Sequence, residues 1–449
     1  MRRPEPAPNI GDVLQERIGD FQEALRNPAF SDLAKQCEIN YWHWDKLKFI
    51  ARSKKLDPQL VWAFVKLGRQ PRYRVLPLRG YSDQRLRFNL PDAVQRELML
   101  IDQQLAGHIL ARDESPLTTS QQERFIINAF HEEAIASSML EGAATTRRDA
   151  KRMLRTHRKP RSRGEQMVLN NYRAILFIRE HRDTDLSPDF LLELQTILTR
   201  NTLDDVSGVG RFRVEDDNIQ VVDARDNEVV HDPPPASELE GRLNQLCDFA
   251  NNSTGAEEFI HPVIRACILH FQLAFDHPFC DGNGRTARAL FYWEMLRRGY
   301  WLFEHLPISR LIYRGPAKYI RAFLYSETDE CDITYFLVYH MEVVAKARQE
   351  LREWIAHKQA QMAQARRLFR SDRRLNHRQH ETVLQAARNP NRPLTISEHQ
   401  IKHAVAYATA RNDLLELADW GYLDQHQVGN RYEFTAGPKL QGADAQWPV

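Results

Sequence analysis

The sequence predicts a mainly α protein with more than one domain. Apolar residues recur at helical spacing over most of its length, and short β-branched runs are concentrated in one segment near the middle. A chain of 449 residues is also too long for one compact core. We expect an N-terminal helical region over 1–106, a central domain over 107–345, a linker helix over 346–370 and a C-terminal domain over 371–449.

The composition excludes several classes of protein. The 62 lysines and arginines nearly balance the 60 aspartates and glutamates, so overall charge gives no reason to expect tight non-specific binding to nucleic acid or anionic membranes. The five cysteines are scattered and form no CxxC pair, which argues against a disulfide framework and a structural zinc site. No uncharged run approaches the roughly 20 residues of a spanning helix. We therefore expect a soluble, cytoplasmic protein without a membrane segment.

The helices of the first half have recognisable starts and stops. The N-terminal region ends in a loop rich in proline, glycine and charge, PLRGYSDQRLRFNLPDA, before a soft boundary near Gly107. A helix over about 120–142 follows, because Ser120 and Glu123 form a capping-box pattern and Gly142 can end it. Two more helical stretches follow, over about 163–181 and 189–202.

The middle of the chain contains a hairpin pattern and then a buried helix. Short β-branched runs at 219–222 and 229–230 flank Asp226 and Asn227, and prolines follow, which predicts a β-hairpin. The helix over about 261–275 is apolar on nearly every face, so it should form the buried centre of its domain.

The second half is again helical. A helix over about 287–298 can end at Gly299, and a long charged helix over about 341–370 resembles a spacer between domains. Beyond it, three helices are followed by two short strands around 428–430. That order is typical of a winged helix.

The run HPFCDGNGRTAR, residues 277–288, combines the parts of a nucleotide site directly after the buried helix. Gly282, Asn283 and Gly284 lie where a loop enters a helix, so unpaired amides can bind a phosphate that the helix dipole also favours. Asp281 is a hard oxygen ligand beside this position, and Mg²⁺ typically binds through one or two carboxylates together with substrate phosphates.

The same run also supplies a base and two cations. Arg285 and Arg288 are three residues apart on one helix face, so both guanidinium groups can reach the outer phosphates. His277 suits a general base, because its ordinary pKa of about 6.5 lies near working pH. We expect His277 to deprotonate an incoming hydroxyl.

These residues resemble the Fic domain family, whose signature is H-x-F-x-[DE]-G-N-G-R-x-x-R. The resemblance extends over roughly 120–345 and includes His261, Pro262, Arg265 and the segment 210–213. It implies a Fic-type helical core with a β-hairpin flap, and transfer of AMP from ATP to a Ser, Thr or Tyr hydroxyl of a protein with release of pyrophosphate. His277 would then activate the hydroxyl, Asp281 would hold Mg²⁺ or Mn²⁺, Asn283 with the adjacent amides would bind the α-phosphate, and Arg285 would bind the outer phosphates.

The resemblance also implies a flap and an adenine pocket. The flap of this family holds the target segment by strand addition and borders the nucleotide, and Val229, Val230 and His231 are its candidates here. Tyr319 matches an aromatic residue of the adenine pocket. Glu327 lies near the position where some members have an adenosine-binding asparagine.

The segment SSMLEG resembles the inhibitory motif of the family, matched by Ser137, Glu141 and Gly142. A carboxylate there can pair with Arg288 and occupy the arginine that would otherwise hold the γ-phosphate. The enzyme would then be autoinhibited by Glu141. In some relatives the same glutamate, with a metal, positions water for removal of AMP.

The C-terminal domain leaves alternatives open. Arginines and lysines there could contact DNA phosphates, but acidic residues are interspersed, so a protein-interaction or homodimerisation module is the alternative. The whole chain could likewise be a DNA-binding or scaffold protein whose core only senses nucleotide, although a pure sensor would not need a base at His277. The basic candidates are Arg373, Arg374, Arg378, Lys402, Arg411 and Arg431.

Overall fold

A computed structural model describes most of the chain: residues 3–81, 84–105, 119–222, 228–251, 259–300, 303–304, 306–371, 374–388, 390, 392–428 and 431–440. The chain divides into two compact units, Met1–Arg348 and Gln349–Val449. The predicted domain boundaries at 106 and 345 stay predictions, and Gly107 lies outside the described residues.

The first unit contains fourteen α-helices and the start of a fifteenth among its described residues, which confirms a mainly α fold. They are α1 Ile10–Ala24, α2 Pro28–Ile39, α3 Trp44–Ser53, α4 Pro58–Arg69, α5 Asp92–Leu105, α6 Thr119–Leu140, α7 Arg147–Thr156, α8 Arg163–Glu180, α9 Pro188–Thr199, α10 Leu239–Ala250, α11 Pro262–Asp276, α12 Asn283–Arg297, α13 Ile308–Tyr313, α14 Pro316–Thr328 and α15 Thr334–Ser371. The side chains at the start of α6, including Ser120 and Glu123, lie outside the described residues.

The N-terminal region also contains an antiparallel hairpin, β1 Arg74–Arg79 with β2 Arg85–Phe88. The expectation of a loop over this stretch is therefore wrong. Leu76, Leu78 and Leu86 are buried, so the hairpin belongs to the packed interior although its sequence is rich in turn formers and charge.

Buried polar contacts join this region to the core of the same unit. Lys66 Nζ donates to Asp329 Oδ1 at 2.8 Å, and the Tyr41 hydroxyl donates to Asp332 Oδ2 at 2.7 Å. All four side chains are almost fully buried. Because a buried charge is costly unless it is paired, these contacts fix the region against the core.

The helix α11 lies in the centre of the core, as its apolar faces predict. From Val263 to Asp276 all of its residues except Ala274 are buried. It packs against α12, which begins after the loop 277–282. The twelve-residue motif therefore starts where one buried helix ends and includes the first turns of another.

The predicted central hairpin is present as two short antiparallel strands, β3 Val221–Val222 and β4 Val229–His231. Val221 is opposite His231, and Val222 is opposite Val229. The turn residues Asp226 and Asn227 lie outside the described residues. We call the two strands with Glu228, residues 221–222 and 228–231, the flap.

After the remainder of α15, the described residues of the second unit have the order helix, strand, helix, helix, strand, strand. Its three strands form an antiparallel sheet of order β5, β7, β6 over a core that includes Val383, Leu414 and Phe434. Gly429 and Asn430, and the side chain of Arg431, lie outside the described residues. The elements are α16 His377–Arg388, β5 Leu394–Thr395, α17 Ile396–His403, α18 Tyr407–Asp419, β6 Leu423–Val428 and β7 Arg431–Ala436.

No helix in the described part of the chain combines the length and the apolar character needed to cross a membrane.

Candidate functional site

The loop that joins α11 to α12 is shaped by two residues with positive φ. His277 ends α11 with φ +47° and donates its amide N–H to the Leu273 carbonyl at 3.0 Å. Gly282 has φ +91° and directly precedes α12. The Phe279 side chain is fully buried and stacks on Phe212, so it anchors the loop in the core.

The side chain of Asn283 holds the loop in shape. Its Oδ1 accepts the Phe279 amide N–H at 2.9 Å, and its Nδ2 donates to the Phe279 carbonyl at 2.8 Å. This side chain is therefore already hydrogen-bonded on both ends to protein. The Thr286 amide bonds back to the Gly282 carbonyl at 2.9 Å, and no side chain caps the helix start. The backbone amides at the start of α12 are thus the groups that can bind an anion.

One hydrogen bond determines the tautomer of His277. Nδ1 lies 3.3 Å from the Ala274 carbonyl oxygen, which can only accept a hydrogen bond. Nδ1 therefore carries the proton and Nε2 has a free lone pair. Burial, together with the positive charge of His231, lowers the pKa of His277 to about 4. The ring is neutral at physiological pH and Nε2 can act as a base.

Asp281 and Arg285 contact each other in this structure. Asp281 Oδ1 accepts the Gly282 amide N–H at 2.6 Å, and Oδ2 accepts from Arg285 at 3.1 Å. Arg285 is buried and also donates to the Leu198 carbonyl at 2.9 Å. Its predicted contact with outer phosphates therefore stays a prediction.

Arg288 is held by the segment that resembles an inhibitory motif. Its NH2 group donates to Glu141 Oε1 at 2.8 Å and to the Ser137 carbonyl at 3.0 Å, and its Nε donates to Ser137 Oγ at 2.8 Å. Burial alone would raise the pKa of Glu141, but Arg288 and Arg285 hold it below its usual range. Glu141 is therefore an anion paired with a buried arginine. Gly142, with φ +81°, directly follows it after the end of α6.

The Glu141 carboxylate also lies against the start of α12. A Cβ atom on Gly284 would collide with Glu141 Oε1 and come within 3.1 Å of Arg288 NH1. The approach of Glu141 therefore requires glycine at 284. It places the carboxylate beside the amides that could bind a phosphate.

The helix α6, which precedes Glu141, is fixed by a buried carboxylate. Glu133 Oε2 accepts the Tyr292 hydroxyl at 2.8 Å and the Ser309 amide at 2.9 Å, and Ser309 Oγ donates to Oε1. Burial raises the pKa of Glu133. These bonds connect α6 to α12 and α13, so the position of Glu141 depends on contacts more than one helical turn away.

The three flap candidates lie in different environments. Val229 is 43% exposed, whereas Val230 and His231 are buried. His231 Nε2 lies 2.7 Å from the Phe275 carbonyl, and Nδ1 lies 3.0 Å from Glu327 Oε1. The His231 side chain therefore points into the core, and its predicted contact with nucleotide stays a prediction.

Tyr319 interacts with Arg288, and its predicted place in a nucleotide pocket stays a prediction. Burial raises its pKa to about 12, while Arg288 acts in the opposite direction. Its hydroxyl lies 2.8 Å from His270 Nε2 in an aromatic cluster. Tyr319 is thus fixed by the core.

Two arginines that support the loop could not be assigned from the motif. Arg213 donates to the carbonyls of His277 at 2.8 Å and Pro234 at 2.5 Å, so it joins the loop to the prolines that follow the flap. Arg242 donates to Asp276 Oδ1 at 2.7 Å, directly before His277. Arg213 belongs to the segment 210–213, which is part of the family resemblance, but no sequence signal indicated Arg242.

Asp281 fits the chemistry of a metal bound together with phosphates. Its carboxylate is 37% exposed and next to the uncapped helix start, and Mg²⁺ typically uses one or two protein carboxylates with substrate oxygens. Among the described residues, no group of three or more histidines, cysteines, aspartates or glutamates could hold a metal ion by itself.

Comparison with known proteins agrees with this site. Residues 185–295 match the model of the Fic/DOC family. Protein adenylyltransferase Fic of Nematostella vectensis is 39% identical over 70 residues, which are 16% of this chain and 16% of the relative. Protein adenylyltransferase fic-1 of Caenorhabditis elegans is 42% identical over 59 residues, 13% of this chain and 11% of the relative. The chain thus matches less than a fifth of each relative's length.

A similar fold occurs in a solved structure. A Fic family protein from Desulfovibrio desulfuricans superposes with a TM-score of 0.51 at 20% identity, over 79% of this chain and 98% of that chain. The likeness concerns the fold.

Proposed function

We propose that the protein is an autoinhibited protein adenylyltransferase, which moves AMP from ATP to a Ser, Thr or Tyr hydroxyl of a target protein. The observation that carries the proposal is the free Nε2 of His277, a neutral base in the same loop as the uncapped start of α12. The names of the relatives that share the Fic segment support the same activity.

The reaction needs a base, an anion site and an in-line nucleophile. His277 Nε2 takes the hydroxyl proton, the hydroxyl oxygen forms a bond to the α-phosphorus of ATP, and the bond from that phosphorus to the β-phosphate oxygen breaks to release pyrophosphate. Amides at the start of α12 stabilise the charge on the α-phosphate. A Mg²⁺ or Mn²⁺ ion at Asp281 would neutralise phosphate charge when bound.

The flap provides a means of presenting the target. Within the described residues the sheet of β3 and β4 has two strands, and Val222 and Val229 are about half exposed. An extended peptide can add to such an edge through its main chain. This mode recognises backbone, so it specifies a protein substrate without specifying its sequence.

Glu141 restrains the reaction in this proposal. It pairs with Arg288, which would otherwise bind the γ-phosphate, so ATP would bind in an unreactive pose. The same carboxylate, with a metal, could position water for removal of AMP, which is the reverse function that we include in the proposal.

The test uses radiolabelled ATP with Mg²⁺. We expect little label in the wild type and strong autolabelling in Glu141→Gly, because Arg288 is then free for phosphate. Glu141→Gly/His277→Ala should give no label while it still binds ATP. A silent Glu141→Gly variant, with ATP and candidate targets present, would contradict the proposal.

We propose that the second unit is a winged-helix module that makes protein contacts. Its helix and strand order supports this, and several basic side chains there are already paired: Arg378 with Asp413 at 2.7 Å and Lys402 with Glu381 at 3.5 Å. Pairing lowers the positive potential available for DNA phosphates. The DNA contact and the homodimer predicted as alternatives stay predictions.

A further inference from the structure

The flap is fastened to the rest of the unit through one buried histidine. His231 Nε2 faces the Phe275 carbonyl at 2.7 Å, so Nε2 must carry a proton. Nδ1 faces Glu327 Oε1 at 3.0 Å and the Tyr81 hydroxyl oxygen at 2.9 Å. The Tyr81 hydroxyl in turn donates to Glu327 Oε2 at 3.0 Å, so its oxygen is free to accept from Nδ1. Both ring nitrogens therefore donate, and His231 is an imidazolium ion.

The three partners of this ion come from separate parts of the unit. Tyr81 follows β1 of the N-terminal hairpin, Glu327 is in α14, and Phe275 is in α11 directly before the catalytic loop. His231 and Glu327 are almost completely buried, with side chains 8% and 2% exposed. A buried ion pair with hydrogen bonds on every side has a single favourable arrangement, because loss of either partner leaves a charge uncompensated.

The N-terminal hairpin also reaches the loop of the catalytic base. Arg242 Nη2 donates to the carbonyls of Arg79 at 2.6 Å and Gly80 at 3.1 Å, while its Nε donates to Asp276 Oδ1. Arg79 and Gly80 thus contact Arg242, which holds Asp276 directly before His277. The next residue, Tyr81, contacts His231 in the flap. No sequence motif connects these stretches.

We propose that Tyr81, His231 and Glu327 are positioning residues, which fix the base of the flap relative to His277 and so make transfer depend on the N-terminal hairpin. This inference rests on the proposed adenylyltransferase function. The flap would hold the acceptor segment, and small displacements of an acceptor from its reactive position cost about 100-fold in rate.

Because His231 must be protonated to donate from both ring nitrogens, its contacts with Glu327 and Phe275 should depend on pH. Burial lowers its pKa, but Glu327 and the Phe275 carbonyl more than compensate, so the pKa of His231 is raised. The titratable groups around it are Glu327 from α14, Tyr81 from the hairpin, and Asp276 and His277 at the end of α11. Since a raised pKa keeps the imidazolium up to a higher pH, the fastening is complete at low pH and is lost as pH rises through that pKa.

The experiment compares Glu327→Gln and Tyr81→Phe in the full-length Glu141→Gly background. The matched controls are Glu342→Gln and Tyr313→Phe, which make the same chemical changes at exposed positions of the same unit. We expect Glu327→Gln to lower the autolabelling rate at saturating ATP by about 10- to 100-fold. Affinity for a non-hydrolysable ATP analogue should change less than about twofold. In the Glu141→Gly background we expect the rate to decline at alkaline pH as His231 loses its proton, and this decline should be absent after Glu327→Gln.

A second measurement separates failure of this inference from failure of the proposed function. Amide hydrogen exchange of residues 229–231 should be faster in Glu327→Gln than in Glu342→Gln, both made in the otherwise wild-type chain. A silent Glu141→Gly variant with faster flap exchange would overturn the proposed function alone. The inference would be overturned if Glu141→Gly is active and neither Glu327→Gln nor Tyr81→Phe changes its rate, its pH profile or the hydrogen exchange of the flap.

Discussion

The pKa of His277 lies well below that of an ordinary histidine side chain. Because burial lowers that pKa to about 4, the base form is already present below neutral pH. In Glu141→Gly we expect the autolabelling rate to stay within about twofold from pH 7.5 down to 5.5. Initial rates at saturating ATP in constant ionic strength measure this, and a decline with a midpoint near 6.5 would contradict the buried, neutral ring.

The chemistry of single residues in the motif could be inferred from sequence, but their partners could not. The order of residues in 277–288 indicates a base beside an anion site, and the structure places His277 and the uncapped start of α12 at the two ends of one loop. The Asn283 side chain hydrogen-bonds to the Phe279 backbone at both ends, and this depends on the geometry of the loop. That His231 points inward depends on Glu327 and Tyr81, which are far away in the chain.

At the scale of elements, the position of α6, the helix before Glu141, depends on Glu133. Ser309→Ala removes a hydrogen bond to this buried carboxylate, and an under-satisfied buried acceptor costs about 1–3 kcal/mol. We expect a lower free energy of unfolding and some autolabelling without any change at Glu141. Chemical denaturation and the ATP assay measure the two effects.

Ser326→Ala is the matched control for that change. Ser326 is equally buried, but its hydroxyl donates to the Ala322 carbonyl in its own helix at 3.0 Å. Its loss should cost less and should leave autolabelling at the wild-type level. Equal effects of both variants on autolabelling would argue against a specific role of Glu133.

Helices were easier to predict from sequence than strands, for a physical reason. Ser162 and Ser187 each cap a helix start with a side-chain oxygen, and such signals are local. By contrast, β5 has two residues, and the β1–β2 hairpin contains charged and turn-forming residues that are stabilised by contacts with the core. Short strands of this kind depend on partners distant in sequence.

At the scale of the whole molecule, buried histidines predict loss of stability in acid. Burial lowers the pKa of His43, His131, His277 and His340 to about 4 each, against about 6.5 in an unfolded chain. Between pH 6.5 and 4 the unfolded chain therefore binds more protons, so stability falls as pH falls, by up to about 1.4 kcal/mol per pH unit for each histidine.

Urea unfolding of the first unit at pH 7.5, 5.5 and 4.5 measures this effect. The midpoint should decrease steeply below pH 6.5. His340→Phe should weaken the dependence, because His340 packs among aromatic rings and its replacement does not titrate. A midpoint independent of pH would contradict the buried, neutral histidines.

The fastening of the flap also bears on the stage of synthesis at which the protein becomes competent. Tyr81 and Glu327 are 246 positions apart, and Arg242 and Gly80 are 162 apart. Tyr292 and Ser309, which hold α6 through Glu133, also follow His277 in the chain. Because a domain generally folds as a unit, a nascent chain that ends soon after the motif lacks both the contacts of Glu327 and those that fix α6 ahead of Glu141. In the proposed function, support of the flap and restraint by Glu141 would therefore be established together, late in the synthesis of the first unit.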